Sequence, residues 1–119
     1  MDLTVAELNR RMLAAADAIE LALAEYRRAN ADWVELEREY RHAKAVARLK
    51  AKARLVADRE DEVYLQIEVE WTRREHAAVL RDTSKEALRA AQAVLNGLQS
   101  VAAAHRAEAN LAAWDERSP

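Results

Sequence analysis

Residues 48–62 read Arg-Leu-Lys-Ala-Lys-Ala-Arg-Leu-Val-Ala-Asp-Arg-Glu-Asp-Glu, and the charged residues change character midway along them. Arg48, Lys50, Lys52 and Arg54 come first; Asp58, Glu60, Asp61 and Glu62 dominate the second half. Aligned peptide dipoles leave partial positive charge at a helix N-terminus and partial negative charge at its C-terminus. Cations therefore stabilise the end of a helix and anions its start. A basic-to-acidic switch in mid-chain predicts one helix ending and another beginning. The turn is placed at residues 54–58, with Asp58 as N-cap of the second helix. It lies near the middle of a chain of 119 residues, so two arms of similar length fold back on each other as an antiparallel helical hairpin.

Toward the N-terminus, apolar residues step by four and three without a break: Leu8, Met12, Ala15, Ile19, Ala22, Tyr26, Ala29, Trp33, Leu36, Tyr40, Ala43 and Ala47. This is the seam of a left-handed coiled coil. It starts behind Thr4-Val5-Ala6-Glu7, a capping-box pattern, with Leu3 and Leu8 at hydrophobic-staple positions. Helix 1 is predicted over residues 4–53.

Toward the C-terminus, helix 2 is predicted over residues 58–115. Its seam reads Ala77, Leu80, Ser84, Leu88, Ala91, Leu95, Leu98, Ala102, His105, Ala109 and Ala112. Val63, Leu65, Ile67, Val69 and Trp71 alternate with polar residues, the period of a strand. A lone strand would have no partner, so the segment is assigned to helix. Thr83-Ser84-Lys85-Glu86 repeats the capping-box pattern and marks the place where helix 2 could break to give three helices. Folding about the turn sets Tyr40 near Trp71, Trp33 near Val79 or Leu80, Ile19 near Val94, and Leu8 near His105.

Composition supports the same class. One Gly, one Pro and no Phe compare with about 8 Gly and 6 Pro at average usage, too few to build the turns of a sheet. The chain is 51% hydrophobic and 34% charged, as long helices and coiled coils are. It has no cysteine, so no disulfide and no thiolate metal site is available. No uncharged apolar run approaches the roughly 20 residues that cross a bilayer, and residues 1–4 do not open a signal peptide. A cytoplasmic protein without membrane association is expected. The net charge of −2 exerts no global pull on nucleic acid. The expected class is all-α: a single domain, a long hairpin that dimerises into a four-helix bundle.

Dimerisation is expected because two helices bury only a thin seam. Leu13, Leu21 and Leu23 on helix 1, and Val94, Val101, Leu111 and Trp114 on helix 2, stand off the seam and form the candidate interface with a second copy. The candidate contact for another partner is the basic run Arg41, Lys44, Arg48, Lys50, Lys52 and Arg54. Such a run either touches the phosphates of a nucleic acid or is neutralised inside the hairpin by Glu60, Asp61, Glu62, Glu68 and Glu70; internal neutralisation is the favoured outcome. Trp33, Tyr40, Tyr64 and Trp71 gather in the same half, as packing residues or as a recognition surface.

Nothing in the pattern implies catalysis, a cofactor or a metal. Glu39-x-x-His42 has the spacing used twice in di-iron bundles, but it occurs once. His76 and His105 lack a glutamate three residues earlier and are expected to pack near the seam. Val56-Ala57-Asp58-Arg59-Glu60 and Leu95-Asn96-Gly97-Leu98-Gln99-Ser100 resemble segments of small phage and prophage helical-hairpin proteins, often encoded near recombination or early genes. The chain departs from them in lacking a Gly or Thr before the turn and in its Ala-rich tail after Ser100. The resemblance carries over no catalytic residue. It implies a phage-encoded accessory protein acting on DNA metabolism or on a host protein. The expected function is a non-enzymatic, self-associating hairpin that binds a protein through a helix face, with nucleic-acid binding by the basic tip as the alternative.

Overall fold

Arg59 N–H donates to the Leu55 carbonyl at 3.0 Å, the first helical bond of the second arm. Helix α1 spans Val5–Lys50 and α2 spans Val56–Arg117. Together they make the expected all-α hairpin in a computed structural model that describes residues 3–117. Asp58 thus sits inside the first turn of α2 rather than at its N-cap, and α1 stops three residues before position 53. The cause is Glu62. Its Oε2 accepts from the backbone N–H groups of Lys52 and Ala53, at 3.3 Å each, and so ties these two residues outside either helix. At the other end the N-cap is as expected: Glu7 N–H donates to Thr4 Oγ1 at 3.1 Å, and Leu8 N–H to the Thr4 carbonyl at 2.9 Å.

All twelve expected seam positions of α1, from Leu8 to Ala47, are buried or half-buried. On α2 the same spacing of four and three runs Val63, Ile67, Glu70, Arg74, Ala77, Arg81, Ser84, Leu88, Ala91, Leu95, Leu98, Ala102 and His105, each buried or half-buried. Four positions depart from expectation. Leu80 is 50% exposed, and Arg81 takes its place. Ala109 and Ala112 are exposed, and His76 lies on the surface. The segment 63–71 is helical; Val63 and Ile67 turn inward while Leu65 and Val69 turn out. α2 continues through Asp82–Ser84 and through Gly97 without interruption, so the described residues form no third helix. Thr72 and Ser100, both poor helix formers, bond back to the carbonyls of Glu68 and Asn96.

The chain divides into two compact units, Met1–Leu23 with Glu86–Pro119, and Ala24–Lys85. The first unit buries Leu8, Ala15 and Ala102. The second buries Ala77 and a cluster of Ala47, Val63 and Ile67, against which Tyr40, Ala43 and Ala51 pack. Small side chains predominate, so the helices approach closely and little apolar area is hidden per turn.

Candidate functional site

Within the unit Ala24–Lys85 the interface between the arms is polar at its centre. The guanidinium of Arg81 lies 4.1 Å from the centroid of the Trp33 ring, and that of Arg74 lies 5.0 Å from the Tyr40 centroid. Trp33 and Tyr40 are seven residues apart on α1, as Arg74 and Arg81 are on α2. The result is a repeated aromatic–arginine pair in an antiparallel register. Arg74 Nε also bonds Glu37 Oε2, while Arg41 Nε bonds Glu37 Oε1 at 2.8 Å. The Arg74 hydrogen bond holds the Glu37 carboxyl below its ordinary value of 4.5, against the opposing effect of burial. The same bond raises Arg74. A further ion pair joins Arg73 to Glu39 at 3.6 Å.

This register corrects the expected one. Tyr40 faces Arg74 rather than Trp71, and Trp33 faces Arg81 rather than Val79 or Leu80. Trp71 instead meets Tyr64 on its own helix, with centroids 6.3 Å apart. Apolarity selects Leu80 for the seam, but a long aliphatic stem with a planar cation packs as well against an indole. The missed signal is the 4-3 spacing itself, which reaches Arg74 and Arg81 when continued from Val63 and Ile67.

The basic run lies about the end of α1 and the linker, and its expected internal neutralisation is largely absent. Arg41 is paired with Glu37. Lys44 is half-buried, 5.7 Å from the Tyr40 ring centroid. Arg48, Lys50, Lys52 and Arg54 are exposed, and among the described residues none has a carboxylate within ion-pair distance. Glu62 is committed to the backbone amides of the linker. Glu70 is half-buried, and its Oε2 has no hydrogen-bond partner among the described residues. An unsatisfied buried acceptor costs about 1–3 kcal/mol. Glu70→Leu should therefore stabilise the hairpin by about 1 kcal/mol, read as a raised urea midpoint; a lowered midpoint would show that Glu70 is needed where it stands.

Two clefts flank the seam of this unit. One, of about 520 Å³, is lined by Tyr40, Lys44, Arg48, Ala51, Val56, Arg59, Glu60, Val63, Tyr64 and Ile67. The other, of about 660 Å³, has Glu25, Arg28, Asp32, Glu35 and Glu39 from α1 and Arg73 and His76 from α2 around Leu36, Ala77 and Leu80. Glu39 and His42 do not form a metal site. Among the described residues no group of three or more His, Asp or Glu side chains is placed to hold an ion. No described helix is long and apolar enough to cross a membrane.

In the other unit all but one of the expected interface residues are exposed. Leu13 and Leu21 are about 70% exposed on the outer side of α1, whereas Leu23 is half-buried. On α2, Val94, Val101, Leu111 and Trp114 are all exposed. Val94 and Val101 each stand one residue ahead of a seam position. Ala87 precedes them by one heptad, and Ala90, Gly97 and Ala104 fill the spaces between. All are exposed, so they form a second stripe along α2, stepping by three and four. On α1, Ala18 holds the equivalent flank position, with Ala14 and Leu21 beside it.

The geometry defines a two-helix hairpin with a polar centre, a basic tip and an apolar flank. No family model, curated protein or solved structure matches the chain.

Proposed function

We propose that the chain is a non-enzymatic coiled-coil hairpin that self-associates, two copies packing as a four-helix bundle that presents a helix face to a protein partner. The observation that carries this is the amount of surface left uncovered. The chain exposes 9315 Å², whereas a compact monomer of 13.5 kDa exposes roughly 6,500 Å². Among the described residues no large side chain is fully buried. The excess, about 2,800 Å² per chain or about 5,600 Å² for two, reaches the upper end of the total area that obligate dimers hide.

The flank carrying Val94 and Val101 supplies the contact with the second copy. Gly97 lies on it in the middle of a helix, where Gly costs about 1 kcal/mol relative to Ala. A Cβ built at Gly97 meets nothing within 4 Å, so packing inside the chain does not require the glycine. A helix from a second copy resting on this stripe would, since Ala90, Gly97 and Ala104 let two backbones approach closely.

Sedimentation equilibrium at tens of micromolar should give twice 13.5 kDa, and the melting temperature should rise with protein concentration. Gly97→Leu separates the two states by sign. In a monomer its side chain enters open space and helix propensity improves by about 0.8 kcal/mol; in the dimer it blocks the contact. Dissociation of the variant into a less stable monomer is expected. A wild-type monomer with a concentration-independent melting temperature, stabilised by Gly97→Leu, would overturn the proposal.

A further inference from the structure

The cleft at the tip combines two features that the self-associating hairpin does not use. The first is a set of cations without a carboxylate partner among the described residues. Lys44 and Arg48 from α1 and Arg59 from α2 line it, and among the described residues none of the three has a carboxylate within ion-pair distance. Acids lie close in sequence, but Glu62 is held by the amides of Lys52 and Ala53. Only Glu60 enters the cleft wall.

The second feature is aromatic. Tyr64 lines the cleft and is 48% exposed. Its ring neighbour Trp71 is also exposed, with the two planes tilted by 59°. Neither ring closes the core; the buried cluster is made by Ala47, Val63 and Ile67. An uncovered ring beside unpaired cations suits a ligand that has both a flat π-face and a negative charge. Lys44 and Arg48 are one helical turn apart, about 6 Å between Cβ atoms, close to the separation of successive phosphates in a stretched single strand.

From these observations we infer that the tip cleft binds single-stranded nucleic acid, with phosphates on Lys44, Arg48 and Arg59 and a base stacked on Tyr64. A duplex offers the same phosphates but hides its base faces, so it leaves Tyr64 unused. An acidic peptide offers charge without a stacking face. Glu60 opposes the phosphates from within the cleft, which sets a sign: removing its charge should strengthen binding. Three phosphate contacts give a slope of about −2 in log affinity against log salt, or roughly a 20-fold loss between 50 and 200 mM.

Fluorescence anisotropy of the full chain with a labelled 20-nucleotide oligothymidylate tests this. Saturable binding at 50 mM salt, about 20-fold weaker at 200 mM, is expected. Lys44→Glu with Arg48→Glu should weaken it at least tenfold, and Glu60→Gln should tighten it. Tyr64→Ala should weaken it by about fivefold or more while leaving binding of inorganic polyphosphate unchanged, which separates stacking from charge. Circular dichroism confirms that each variant is helical, and Arg27→Glu serves as a charge reversal away from the cleft. The inference is overturned by no binding at 50 mM salt, by a duplex or polyglutamate binding as tightly as the single strand, or by Tyr64→Ala or Lys44→Glu with Arg48→Glu binding like wild type. Binding is scored against protein concentration, so loss of the dimer and loss of the cleft are read separately.

Discussion

Replacing Glu37 by alanine should destabilise the hairpin by about 2 kcal/mol, less than breaking a fully buried ion pair costs, because both side chains are only half-buried. The Glu37 side chain is 14% exposed and that of Arg74 is 28%, so the guanidinium left behind loses its carboxylate partner on the other arm and keeps only the bonded carboxylate of Glu75. Removing both charges should behave differently. Glu37→Leu with Arg74→Met exchanges the pair for apolar contacts of similar volume, and stability should return to within about 1 kcal/mol of wild type. The difference between the single and double variants measures coupling rather than the worth of the pair. Urea denaturation of the four members of the cycle gives it directly. A single variant costing less than the double would show that the existing bond to Glu75, at 2.8 Å, suffices for Arg74.

The same pair gives stability an acid limb. Glu37 is held below its ordinary 4.5 in the folded chain, so the folded state binds fewer protons than the unfolded state over that interval. Its contribution is complete above pH 4.5 and is lost as pH falls through the lowered folded value. Wild type should therefore lose more stability than Glu37→Leu with Arg74→Met as pH is lowered from 4.5. Parallel acid limbs would show that other carboxylates govern acid unfolding.

Ile67→Ala should be the other severe substitution, costing about 3 kcal/mol. Ile67 is fully inward-facing and is the largest side chain in the buried cluster that closes the tip. Its neighbours Ala47 and Val63 are too small to fill the space by changing rotamer, so much of the cavity would persist. With stability typically 5–15 kcal/mol for a domain, such a loss should appear as a large drop in melting temperature and as faster amide exchange across residues 60–70. A loss under 1 kcal/mol would mean that the tip contributes little to cooperative folding.

Much of the architecture is legible in the sequence because it obeys local rules. A basic end to one arm and an acidic start to the next place the turn within a few residues, since dipole complementarity is a property of each helix separately. The unbroken spacing from Leu8 to Ala47 identifies the buried stripe of α1 residue by residue. The candidate site is less legible. Lys44 and Arg48 stand out as part of a basic run, but Arg59 and Tyr64, the opposite wall of the cleft, belong to the other helix. Asp58 has the chemistry of a cap and is not one, because helical bonding already begins upstream of it, with Arg59 N–H on the Leu55 carbonyl; the linker before it is held by Glu62, a side chain ten residues from Lys52.

Helical class, two arms, the approximate turn and the inward stripe of α1 are all written in the order of the residues, because each depends on neighbours within one or two turns. Which residue of one arm meets which of the other is settled only by the folded chain. Arg74 bonds Glu37 across 37 positions, and Arg81 rather than Leu80 faces Trp33. Hydrophobic periodicity ranks side chains by their cost of transfer from water. It carries no information about the particular ring or carboxylate that makes a half-buried arginine acceptable.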